Sequence, residues 1–104
     1  MASELPVVTM NIQRAWFAEI LAVPPRKTIE YRVMSHFWER RFRDVGNGPF
    51  MLRLLNGMLP PVPEAMILVT QLEAAEEMRE FRLHLGRVVS TKHSDRKREC
   101  PTND

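Results

Sequence analysis

Residues 26–32 read Arg-Lys-Thr-Ile-Glu-Tyr-Arg, placing Lys27, Glu30 and Arg32 within six positions. A carboxylate between two cations can serve as a general base. Lys27 and Arg32 would then lower the pKa of Glu30 or stabilise an oxyanion, with Thr28 orienting the substrate. The same donors suit a simpler task, holding a phosphate or carbonyl, and Tyr31 could offer an aromatic face to a base. A third reading is an ordinary ion-pair network, in which an exposed Glu30–Arg32 pair is worth at most about 1 kcal/mol. Alternation along a strand places Thr28, Glu30 and Arg32 on one face and Ile29, Tyr31 and Val33 on the other. The polar face is thus either a wet surface or the wall of a pocket.

Charge surrounds this segment unevenly. Between Arg26 and Arg53 seven cations (Arg26, Lys27, Arg32, Arg40, Arg41, Arg43, Arg53) face three carboxylates (Glu30, Glu39, Asp44), a surplus of four, although the whole chain carries only +2. Between Glu64 and Glu80 five glutamates face Arg79 alone. The domain is expected to be electrically two-faced, unless these charges are solvated surface and no more. Arginine dominates the basic stretch, and its planar fork matches phosphate and carboxylate geometry better than an ammonium does.

The elements that must carry these residues follow from pattern. Val7 to Ile12 is β-branched and preceded by Pro6, predicting a first strand, central or nearly so in its sheet. From Gln13 to Ala22 the apolar Trp16, Phe17, Ile20 and Leu21 draw one stripe along a helix, which Pro24-Pro25 ends. Thr28 to Val33 is a second strand. Ser35 is placed to cap a short helix reaching Phe42, with Phe37, Trp38 and Phe42 on its apolar side, and Gly46 to Pro49 breaks it. Phe50 to Leu55 is a strand closed by a tight turn at Asn56-Gly57, and Pro60 to Pro63 is extended. Met66 to Leu72 reads as a buried strand, Glu73 to Met78 as a turn of helix, and Phe81 to Val89 as the last strand. Five strands joined by short links predict a curled sheet or small barrel. From Lys92 the chain turns polar, so residues 1–91 are expected to form one domain and residues 92–104 a disordered basic tail.

Composition bounds the rest. At 104 residues with a hydrophobic fraction of 44%, the chain supports one apolar core and not two. The single Cys100 excludes an internal disulfide, and His36, His84 and His93 have no metal-site spacing, so neither metal nor cofactor is expected. No apolar run approaches the roughly 18 residues of a membrane span, and the N-terminus lacks a secretory pattern, which together predict a cytoplasmic protein. Oligomeric state is left open.

The ordered set Trp16-Phe17-Ala18-Glu19-Ile20-Leu21, Lys27-Thr28-Ile29-Glu30-Tyr31-Arg32, Phe37-Trp38-Glu39-Arg40-Arg41, Leu52-Arg53, Asn56-Gly57 and Phe81 to Gly86 resembles the ASCH domain over roughly residues 5–90. That family is similar to the PUA domain and is marked by Lys-x-x-Glu-x-Arg after its first helix. The resemblance implies an α+β fold, a small PUA-like β-barrel of about five strands flanked by two or three short helices. It also implies a cleft between the first helix and the barrel that receives RNA, a nucleotide or a modified nucleoside. One branch of the family hydrolyses acetylated cytidine through Lys-Thr-Ile-Thr-Ile-Arg, where the second threonine is the nucleophile and the lysine activates it. Lys27 and Thr28 match that pattern, whereas Glu30 replaces the nucleophile. A further carboxylate comes from a later segment, where Glu73 is the candidate across loops of different length. Another branch has been linked with ribonuclease activity.

Three functions follow from these residues. In a binding module Lys27, Arg32, Arg41 and Arg53 contact phosphate or carbonyl groups of RNA or a nucleotide, Tyr31 or Trp38 stacks on a base, and Asn56 completes the ligand set; Tyr31 and Trp38 could equally be core residues. In a hydrolase of acetylated nucleosides or RNA, the catalytic set is Lys27, Thr28 and Glu30. In a protein-interaction adaptor or inhibitor, the acidic stretch Glu73 to Glu80 meets a partner.

Overall fold

The computed structural model describes residues 5–93. Its strands are β1 (Val7–Asn11), β2 (Ile29–Val33), β3 (Phe50–Leu55), β4 (Glu64–Ala75) and β5 (Glu80–Lys92), with helices α1 (Arg14–Leu21) and α2 (His36–Phe42). Short 3-10 turns follow α2 at Arg43–Val45 and β4 at Glu76–Met78. The strands form one mixed sheet in the order β1-β3-β4-β5-β2, in which only the β1–β3 pair is parallel. The architecture is the expected α+β one, a curled five-stranded half-barrel with two short helices.

The curl comes from the two long strands. The first half of β4 lies between β3 and the second half of β5, and the second half of β4 pairs with the part of β5 that also holds β2. Between these halves the β4–β5 register slips three times, from Met66 to Gln71. Such bulges bend a ribbon and increase its twist. Gly86 sits at this bend, where an added Cβ would meet Thr70 Cγ2 at 3.0 Å and the Leu68 carbonyl oxygen at 3.1 Å. The core fills the concave side, with Phe50, Leu52, Leu54, Ile67, Val69 and Leu83 fully buried. Phe17 and Ile20 of α1 join it, and Phe42 of α2 meets Phe81 edge-on at 4.9 Å. Ser35 caps α2 by accepting a hydrogen bond from the Trp38 amide at 3.3 Å.

Several expectations need correction. The first strand is an edge strand, paired only with β3. Glu73, Ala74 and Ala75 belong to β4, because pairing with Arg82, Phe81 and Glu80 overrides their helix propensity. The buried strand therefore begins and ends beyond Met66 and Leu72. The last strand continues to Lys92, so this residue is sheet and not tail, while residues 94–104 of the expected tail, Cys100 among them, lie outside the described residues. No tight hairpin forms at Asn56-Gly57. Instead a longer loop runs to Pro63, whose carbonyl accepts from the Asn56 amide at 2.9 Å, and Gly57 takes φ +107°. Among the described residues no helix is long and apolar enough to cross a membrane.

Candidate functional site

Curling the sheet brings its two edge strands towards each other. Arg32 of β2 spans the gap, its Nη2 donating to the Asn11 carbonyl at the end of β1 at 3.0 Å. An open cleft of about 570 Å3 lies at this junction, lined by Asn11, Ile12, Gln13 and Trp16 on the β1–α1 side, Glu30, Tyr31 and Arg32 on β2, and Asn56 and Gly57 after β3.

The faces of β2 explain how Glu30 reaches the cleft. Glu30 and Arg32 pair in register with the buried Leu83 and Phe81 of β5, so both point to the concave side. Glu30 is only 5% exposed. A buried carboxylate needs partners, and here both its oxygens have them. Oε1 lies 3.2 Å from Lys27 Nζ, while Oε2 lies 2.8 Å from Arg32 Nη2 and accepts from Arg32 Nε at 3.1 Å. The ammonium of Lys27 also donates to the Ile29 carbonyl at 2.7 Å. The apolar alternation of β2 turns outward: Tyr31 and Val33, pairing with Arg82 and Glu80, are exposed. Glu30 and Arg32 of the polar face line the cleft, and Tyr31 of the opposite face reaches it from the exposed side and is not a core residue.

Aromatic rings flank the lysine. Lys27 Nζ is 5.3 Å from the Trp16 ring centroid and 5.4 Å from that of Tyr31, within cation–π range of both. Both residues remain roughly half exposed, 45% for Trp16 and 49% for Tyr31. Asn56 Nδ2 donates to the Ile12 carbonyl at 3.0 Å, and Asn11 holds Gly57 at both its amide and its carbonyl. The floor of the cleft is therefore rigidly partnered. Its ion triad carries a net charge of +1.

Of the residues singled out by sequence, Glu30, Tyr31, Arg32 and Asn56 line the cleft, and Lys27 adjoins it through Glu30, Trp16 and Tyr31. Thr28 does not line the cleft; its side chain is exposed and its carbonyl accepts from the Leu85 amide at 2.9 Å. Trp38 packs on Phe42 and against the core, with the Arg32 guanidinium 5.5 Å from its ring, so it braces Arg32 from behind. Arg41 is exposed on α2 and covers the Phe37 ring at 4.2 Å. Arg53 lies on the outer face of β3 and makes two hydrogen bonds to Glu64, at 3.2 and 3.0 Å. Those bonds hold the Glu64 carboxyl below its ordinary range against the opposing effect of burial, and raise the Arg53 guanidinium further. Arg41 and Arg53 thus sit apart from the cleft. Glu73 also lies elsewhere, lining a second cavity of about 440 Å3 with Phe42, Leu72 and Phe81 and contacting His84 Nε2 at 2.9 Å.

Sequence reasoning missed Trp16, Gln13 and Asn11 as cleft residues. The spacing of Trp16 fits the apolar stripe of α1, but it stands one residue before the buried Phe17, about 100° round the helix and at the stripe's margin. Among the described residues no group of three or more His, Cys, Asp or Glu could hold a metal ion. No family model matches the chain, and neither a curated protein nor a solved structure matches it.

Proposed function

We propose that the cleft binds RNA or a nucleotide-like ligand, and that the chain is an ASCH-like binding module serving RNA metabolism or its regulation. The observation that carries this reading is the pair of half-exposed aromatic residues lining an open cleft, Trp16 and Tyr31, each within cation–π range of the Lys27 ammonium. Exposed aromatic faces accept bases by stacking, and the net positive triad attracts phosphate. The resemblance to the ASCH family leads to the same ligand class. Binding stands ahead of hydrolysis for a geometric reason. Both oxygens of Glu30 are turned onto Lys27 and Arg32, the arrangement of a structural ion-pair network. Thr28, the nearest aliphatic hydroxyl in sequence, does not line the cleft.

A titration of short single-stranded RNAs against salt tests the proposal. Affinity is expected to fall as salt rises, with a slope of about −0.7 per phosphate neutralised. Trp16→Ala, at a half-exposed position, should weaken binding by about 1–3 kcal/mol without unfolding the chain. Absence of binding at low salt, or an affinity indifferent to salt, would remove RNA as the ligand.

A further inference from the structure

Beyond Gly57, the last lining residue on the β3 side, the chain presents Met58 and Leu59 at 81% and 85% exposure. Single exposed apolar residues are common. An adjacent pair that directly follows a residue lining the cleft, on a loop fixed at its base, is less so. Asn11 grips Gly57 through its amide and carbonyl, Asn56 donates to Ile12, and the Asn56 amide reaches the Pro63 carbonyl. Pro60, Pro61 and Pro63 each restrict φ, so the loop loses little freedom when it is covered.

Resting on the reading of the cleft as a nucleotide site, we infer that the Gly57–Val62 loop is a second subsite, and that the occupant is a single-stranded RNA segment of two or more nucleotides rather than a free nucleotide. Two observations favour this occupant. The cleft is open to solvent, whereas sites for small ligands enclose most of their surface, so one nucleotide in it would leave much of its area uncovered. The charge beside the loop is positive, with Lys27 and Arg32 against Glu30 and with Arg26 exposed nearby in the chain. Cationic donors next to flat and apolar surfaces complement a chain of phosphates carrying planar bases. In this arrangement one base lies against Trp16 and Tyr31 and the next against Met58 and Leu59.

The test compares 5′-phosphorylated uridine mono- and dinucleotides by titration calorimetry, with the unmodified chain and with Met58→Ser combined with Leu59→Ser. The dinucleotide is expected to bind about tenfold tighter than the mononucleotide. The double variant should bring it to the mononucleotide's level while leaving mononucleotide affinity within about twofold. Equal affinities for the two ligands in the unmodified chain, or a dinucleotide indifferent to the substitutions, would overturn the second subsite and leave the cleft reading standing. Failure of both ligands to bind would overturn the two together. A concentration-dependent dimer in sedimentation, abolished by the double substitution, would assign the loop to a second copy of the chain and likewise overturn the inference.

Discussion

A carboxylate buried as deeply as Glu30 persists only where its charge is matched and its lone pairs are satisfied. Lys27 and Arg32 do both, but they are not equivalent. Lys27 is a compact charge shared between Glu30, the Ile29 carbonyl and two rings, while the Arg32 fork grips Glu30, the Asn11 carbonyl and the face of Trp38 at once. Replacing Glu30 by Gln would leave two cations facing a neutral amide. Breaking a fully buried pair costs about 3–5 kcal/mol, and because the Lys27 and Arg32 side chains keep 15% and 22% exposure, water can return to them. A loss of about 2 kcal/mol is therefore expected for Glu30→Gln, measured by urea unfolding. The same substitution separates the two chemistries. It takes the triad from +1 to +2, so RNA affinity in the folded variant should hold or rise at low salt, whereas a reaction that uses Glu30 as base would be lost. Unchanged stability would mean that the triad is not a matched unit.

Elements show where a sequence can be read and where it cannot. Alternation along residues 28–33 identifies two faces of a strand, and the grouping of Glu30 with Arg32 follows from it. It does not say which face is inside. In β2 the polar Glu30 and Arg32 point inward beside Leu83 and Phe81, and the apolar face turns outward, where Val33 meets solvent and Tyr31 reaches the rim of the cleft. The same limit applies to β1, whose β-branched run is legible although its edge position is a property of pairing with β3. Glu73 to Ala75 carry helix-forming side chains, yet cross-strand partners and the Glu73 contacts with His84 and Arg82 hold them extended. Local signals were decisive where the structure is local. Ser35 was recognisable as a cap from its place before Phe37 and Trp38, and its hydroxyl does accept the Trp38 amide. Ser35→Ala should destabilise the domain by about 1 kcal/mol, read as a lower midpoint in chemical unfolding followed by tryptophan fluorescence. Substitution by Asp or Asn should restore most of that loss, while an equal loss in all three would point to a role other than capping.

At the scale of the whole molecule, the sheet closes only part of a barrel, and side-chain pairs tie it at two separate places. One lies at the cleft, where Arg32 reaches Asn11, and the other on the outer face of β3 and β4, where Arg53 meets Glu64. The second pair makes the fold sensitive to acid in a defined direction. The hydrogen bonds from Arg53 are the largest influence on Glu64, burial opposes them, and the remaining attraction of Arg53 adds to them, so the folded carboxyl titrates below its ordinary 4.5. Through the interval between these two values the unfolded chain takes up a proton that the folded chain refuses. Stability from this pair is therefore fully present above about pH 4.5 and declines as the pH falls through the lower, folded value. The contribution of Glu64 is read as a difference between two chains. Glu64→Gln is expected to melt at a lower temperature than the unmodified chain near neutral pH, and the gap should narrow progressively as melting is repeated from about pH 5 down to pH 3. Because this pair lies on the outer face of the sheet, away from the cleft, RNA affinity at neutral pH should be the same in both chains. A melting gap that stays constant across the acid range would show that Glu64 supports the sheet by packing and not through its charge.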